Sequence, residues 1–105
     1  MGVAYIPVAR PGEIEPGQKK SVDLGGRRVL VTNVGGEHYV FASQCPHGAT
    51  DLDDADLVGT RLRCHGHSYW FELTSGECVM PRGGPTLATL PVEERDGEIC
   101  VRLEW

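Results

Sequence analysis

Apolar positions along this chain come in short runs broken by glycine turns, and within the runs they alternate with polar ones. Val22-Asp23-Leu24 alternates, Gly25-Gly26 turns, and Arg28 to Val34 is rich in β-branched residues. Gly35-Gly36 turns again into His38-Tyr39-Val40-Phe41. Two Gly-Gly pairs between such runs predict the hairpins of a meander. Leu57 to Arg63 reads as one further strand. Tyr69 to Thr74 runs into Ser75-Gly76, and Glu77 to Met80 returns. Leu90 to Arg95 and Glu98 to Trp105 flank Asp96-Gly97, the strongest short hairpin signal. In that last strand Ile99, Val101, Leu103 and Trp105 share one face. Cys100, Arg102 and Glu104 share the other, which places Cys100 on the more polar face, a poor position for a core disulfide partner. No long stretch carries a 3.6-residue apolar period. The predicted class is all-β, with two segments, Cys45 to Asp56 and Cys64 to Ser68, left as loops.

Composition narrows this picture. At 105 residues the chain is read as a single domain, 1–105. A chain of that length buries about 65% of its unfolded surface, so its core is modest. Glycine (14) and proline (7) make up a fifth of the sequence, which favours turns over a helical bundle. No apolar run is long enough for a membrane span. The opening residues lack the basic start and apolar stretch of a secretory signal, and Ile6 breaks the myristoylation pattern that Met1-Gly2 begins. The expected location is the cytoplasm. A net charge of −5 argues against nucleic acid and for a basic protein partner.

The chemistry lies in the two loops. Of the four histidines, His47, His65 and His67 fall within three residues of Cys45 or Cys64. Two disulfides would need an oxidising compartment, which nothing in the chain indicates. Metal is the stronger reading. The first loop is Cys45-Pro46-His47-Gly48 and the second Cys64-His65-Gly66-His67, with sixteen residues between His47 and Cys64. Each loop offers one thiolate and one imidazole. Structural zinc also takes Cys2His2, but its usual spacing pairs Cys with Cys and His with His. The alternation suits a two-iron cluster in which one iron takes both cysteines and the other both histidines. His65, beside Cys64, is a rival ligand. The zinc-binding interaction module stays open as an alternative.

On these residues the chain resembles the Rieske-type ferredoxins, small electron carriers of bacterial aromatic-ring oxygenase systems. Cys45-Pro46-His47-Gly48, the spacer, the C-x-x-H of the second loop and Phe71 four residues after His67 all fit. So do Phe71 to Glu77 as the following hairpin and Pro81 to Pro85 as the proline loop that covers the cluster. The resemblance implies three stacked antiparallel sheets, a cluster-binding part at about 43–86 and a basal sheet part around it. It implies one [2Fe–2S] cluster on Cys45, His47, Cys64 and His67, and the Phe71 register selects His67 over His65. It further implies a non-catalytic one-electron carrier, and a monomer is the default expectation. Such a carrier takes electrons from an NAD(P)H-dependent flavoprotein reductase and gives them to a terminal oxygenase acting on aromatic compounds. A Rieske-like small subunit of a reductase, such as NAD(P)H nitrite reductase, is the related alternative.

Several residues depart from that pattern or lie beside it. His65 and Ser68 stand where the family often has Pro and Gly. High-potential Rieske proteins carry an extra disulfide-linked cysteine in each loop; Thr50 and Gly66 stand in those places, and Phe71 replaces a hydroxyl-donating tyrosine. Fewer donors to sulfur place the potential at the low end of the Rieske range, about −150 mV. Cys78 and Cys100 are expected to be free thiols. Asp51, Asp53, Asp54 and Asp56 read either as a solvated acidic loop or as a docking patch for basic partners. His38, Tyr69 and Trp70 are expected to pack or edge strands.

Overall fold

The computed structural model describes residues 1–46, 48, 50–65 and 69–105. Its strands are β1 (Val3–Ala9), β2 (Lys19–Leu24), β3 (Arg27–Val34), β4 (Glu37–Ala42), β5 (Asp56–Val58) and β6 (Arg61–Arg63). They continue as β7 (Trp70–Glu72), β8 (Cys78–Met80), β9 (Thr89–Leu90), β10 (Val92–Arg95) and β11 (Glu98–Glu104). They form three antiparallel sheets, ordered β1-β11-β10, β2-β3-β4-β9 and β5-β6-β7-β8. No helix is present among the described residues, and none is long and apolar enough to cross a membrane.

The β2-β3-β4-β9 sheet is the middle layer, and side-chain parity shows why. Val29, Val31 and Val40 point into one core cluster with Val8, Ala9, Ile14, Ile99 and Val101, so they meet the β1-β11-β10 sheet. Leu30 and Phe41 point the other way, into a second cluster with Leu62, Phe71, Leu73 and Cys78 of the β5-β8 sheet and its turns. A strand covered on both faces carries a continuous apolar run, and Val29-Leu30-Val31 is that run. Two buried polar residues anchor the strand's far end. The Thr32 hydroxyl donates to Gln18 O at 2.7 Å, and Asn33 Nδ2 donates to Ile14 O at 2.8 Å.

The hairpins fall where the sequence places them. Asp96 and Gly97 both take positive φ, 52° and 76°, as a two-residue type I′ turn requires. Four features differ from the sequence reading. Val3–Ala9 is a strand that the apolar pattern did not predict; it contains Pro7, which an edge strand tolerates, and the register slips between Pro7 and Ala9. Leu57 to Arg63 is not one strand but the hairpin β5–β6, since Gly59 turns the chain and Val58 faces Arg61. Leu90 to Arg95 divides at Pro91: Leu90 pairs with Val40 in the middle sheet and Val92 with Val101 in the first. Proline has no N–H to continue a ladder, so the chain changes sheets there. Lastly, Cys100 is buried, not solvated, because β11 is the central strand of its sheet and Cys100 lies between Pro7 and Glu93.

Candidate metal centre

Both cysteines of the two-loop pattern stand at the first residue of a pinched loop. Beyond β4, Leu52 N donates to Ser43 O at 2.7 Å, Gln44 bridges Asp51, and Cys45 N donates to Thr50 O at 2.8 Å. These contacts continue the ladder until Cys45 and Thr50 close it. The second loop is built alike. Arg63 faces Trp70 across β6–β7, and Cys64 N donates to Tyr69 O at 2.8 Å. Each loop thus spans six residues from a cysteine amide to the carbonyl that receives it. Each holds one of the predicted imidazoles, His47 or His67, and both of these histidines lie outside the described residues.

The two thiols share an environment. Cys45 and Cys64 are buried in the same apolar cluster as Phe71, Leu52, Leu62 and Leu87, and neither is in a disulfide. Two reduced, buried sulfurs at the roots of two His-bearing loops form a soft donor set, which suits iron–sulfur chemistry. Among the described residues, which exclude His47 and His67, no three His, Cys, Asp or Glu side chains gather into a metal cage. Phe71, wholly buried between Leu62 and Cys78, is tilted against Tyr69 with ring centroids 6.4 Å apart. Being a phenyl ring, it offers no hydroxyl to a sulfur.

The surroundings sort the other candidates. His65 is half exposed, and its Nε2 lies 3.0 Å from Asp56 Oδ2. His38 stands on β4 opposite Asn33 and lines a groove with Leu73, Thr74 and Pro91. Cys78 Sγ packs where a Cβ on Gly84 would fall, 2.7 Å away, so the proline loop sits directly against β8. Residues Thr86 and Ala88 just beyond that loop border a groove of about 760 Å³ that Cys45, Pro46 and Gly48 also line.

Three of the four aspartates in the acidic run meet a side chain of this chain. Arg28 on β3 donates to Asp51 Oδ1 at 3.2 Å and, through its other terminal nitrogen, to Asp53 Oδ2. The Asp53 hydrogen bond, more than the nearby Asp51 charge, holds the Arg28 guanidinium above its ordinary range. Asp56 meets His65 and, at 3.9 Å, Arg63. Lys19 Nζ donates to Ala55 O at 2.8 Å, a second tie from the middle sheet to this segment. Sequence reasoning singled out the aspartates and missed Arg28. A strand arginine carries no signal of its own until the topology brings it opposite a loop 23 residues away.

A three-layer β structure whose two pinched loops each offer a cysteine and a histidine defines an iron–sulfur electron-transfer module. The family model for the Rieske [2Fe-2S] domain matches residues 4–91, and the chain belongs to that family. Its cofactor is a single Rieske cluster. The chain is 25% identical over 100 residues to the ferredoxin component of the naphthalene 1,2-dioxygenase/salicylate 5-hydroxylase systems of Ralstonia sp., covering 95% of this chain and 96% of that protein. It is 28% identical over 105 residues to ferredoxin CarAc of Metapseudomonas resinovorans, covering 96% and 95%. Among solved structures it superposes, with a TM-score of 0.82 and 26% identity, on a chain of the complex of reduced oxygenase and oxidized ferredoxin in carbazole 1,9a-dioxygenase, covering 91% of this chain and 99% of that one. By these matches it is an electron carrier of the ferredoxin kind, not a catalytic oxygenase.

Proposed function

We propose that this protein holds its cluster on Cys45, His47, Cys64 and His67 and carries single electrons from an NAD(P)H-dependent flavoprotein reductase to a terminal oxygenase acting on an aromatic compound. The observation that carries the reading is the end-to-end match to stand-alone ferredoxins, joined to two buried cysteines at the roots of the two loops. The relative in the solved carbazole 1,9a-dioxygenase complex sits with its oxygenase, which supports an oxygenase as the acceptor here. The chain acts as one domain, 1–105, with the cluster-binding part at about 43–86, and works as a monomer in the cytoplasm.

When bound, the cluster supplies a one-electron store. The chain's own residues do the rest. Cys45 and Cys64, as thiolates, would hold it from inside the apolar cluster of side chains, where water is excluded. Their amides are fixed by Thr50 and Tyr69, which sets where each loop begins. Phe71, Leu52 and Leu87 keep the sulfur side dry, and Phe71 withholds the donor that would raise the potential. The pairing of His65 with Asp56 favours His67 as the second-loop imidazole.

The deciding experiment is the absorption spectrum of anaerobically purified protein, with EPR after dithionite reduction. A red-brown protein with two irons and two sulfides, and an average g below that of all-cysteine clusters, is expected. A colourless zinc protein without iron would overturn the reading.

A further inference from the structure

We infer that Arg28 is a positioning residue for the first ligand loop, and that Asp51 and Asp53 are its anchors rather than a docking patch for partners. This rests on the cluster reading above. Arg28 belongs to the middle sheet, where it faces Asp23 on β2 and is the second residue of the strand that buries Val29, Leu30 and Val31. Its two terminal nitrogens reach separate carboxylates, Asp51 and Asp53. Asp51 is the residue that bridges Gln44, next to the Cys45–Thr50 closure. Asp53 follows Leu52, which is fully buried in the cluster that holds both cysteine sulfurs. The guanidinium therefore grips the return limb of the loop on both sides of its buried anchor.

The chemistry favours a clamp over a patch. A planar guanidinium with fixed donors can serve two acceptors at once, which a lysine ammonium does poorly. Asp53 has its Oδ1 buried and without a hydrogen-bond partner among the described residues, while its Oδ2 takes the hydrogen bond from Arg28. A buried carboxylate oxygen is costly once its cation is removed. The backbone agrees: Ser43 N donates to Arg28 O at 3.4 Å, so Arg28 meets the outgoing limb through its main chain and the returning limb through its side chain. Arg28 engages Asp51 and Asp53 and Arg63 stands near Asp56, so three of the four aspartates face a cation and are turned to partners within the chain.

The test uses the cluster-loaded protein and the variants Arg28→Gln, Arg28→Lys and Arg28→Gln with Asp53→Asn. Hydrogen exchange is followed by mass spectrometry on peptides covering 43–53 and 61–72, beside the rate of iron loss to a chelator. Arg28→Gln should speed exchange in 43–53 at least tenfold, leave 61–72 unchanged, and release iron several-fold faster. Arg28→Lys should fall between. The double variant should recover part of the loss, because the uncompensated carboxylate is gone. Equal exchange in both loops would make Arg28 a general stabiliser and overturn the proposal, as would an unchanged 43–53. If Asp51→Asn and Asp53→Asn together flatten the salt dependence of electron transfer while exchange stays the same, the aspartates dock a partner instead. Failure of the cluster reading would show separately, as a wild-type protein without iron and sulfide.

Discussion

At the scale of single residues, what matters is which groups are sealed and which are answered. Cys100 is buried, and burial first, then the neighbouring Glu98 charge, pushes its thiol above the ordinary range. Thiolate is the reactive form, so Cys100 should resist iodoacetamide in the native protein and label only after denaturation. Mass spectrometry of the tryptic peptides before and after denaturation measures this. Gly76 is fixed by geometry. It has φ +79°, and a Cβ there would lie 2.2 Å from Leu87 O, beside the bond from Leu87 N to Gly76 O. Gly76→Ala should therefore destabilise by more than about 1 kcal/mol, read from denaturant midpoints. Phe71 also speaks at this scale. With no hydroxyl for sulfur, the midpoint potential should lie near the low end of the Rieske range, about −150 mV, by spectroelectrochemical titration.

At the scale of elements, the β6–β7 pair shows how a small sheet ties its turns. Arg61 faces Glu72 across the ladder, 3.5 Å from Nε to Oε1. Thr74 donates to the same carboxylate through its hydroxyl at 3.0 Å and its amide at 3.4 Å. Burial pushes the Glu72 carboxyl up, but the hydrogen bonds from Thr60, Thr74 and Arg61 outweigh it and hold the group below the ordinary glutamate range. A carboxyl more acidic in the folded state stabilises fully above its unfolded pKa, and that stabilisation is lost as pH falls through the folded value. Stability of the wild type should thus fall on acidification through this window, and Glu72→Gln should flatten the fall. Urea midpoints at a series of acid pH values give the comparison. Hairpin turns were legible at this scale because Gly-Gly and Asp-Gly supply the φ > 0 that two-residue turns demand. The β5–β6 hairpin was not legible, because Val58-Gly59-Thr60 reads as an interruption of one strand until Asp56 is seen facing Arg63.

At the scale of the whole molecule, two apolar clusters meet on opposite faces of one middle sheet, and both cysteines of the centre belong to one of them. Ligation and core packing are therefore coupled. On the proposed ligation by Cys45 and Cys64, removing the cluster leaves two buried thiols, so cluster-free protein should melt several degrees below the loaded form. Differential scanning calorimetry of both forms checks this, and equal melting temperatures would mean the loops contribute nothing to the fold. The sequence by itself determined the all-β class and the two loops that each carry a cysteine and a histidine, because period-2 alternation, turn chemistry and residue spacing are local properties of the chain. Only the tertiary structure decided that Val3–Ala9 completes the first sheet, that Pro91 carries the chain from one sheet to another, and that Cys100 is buried. It also brought Arg28 against Asp51 and Asp53. Each of these depends on what lies opposite a residue across a sheet or between layers, and no window of neighbouring residues contains that.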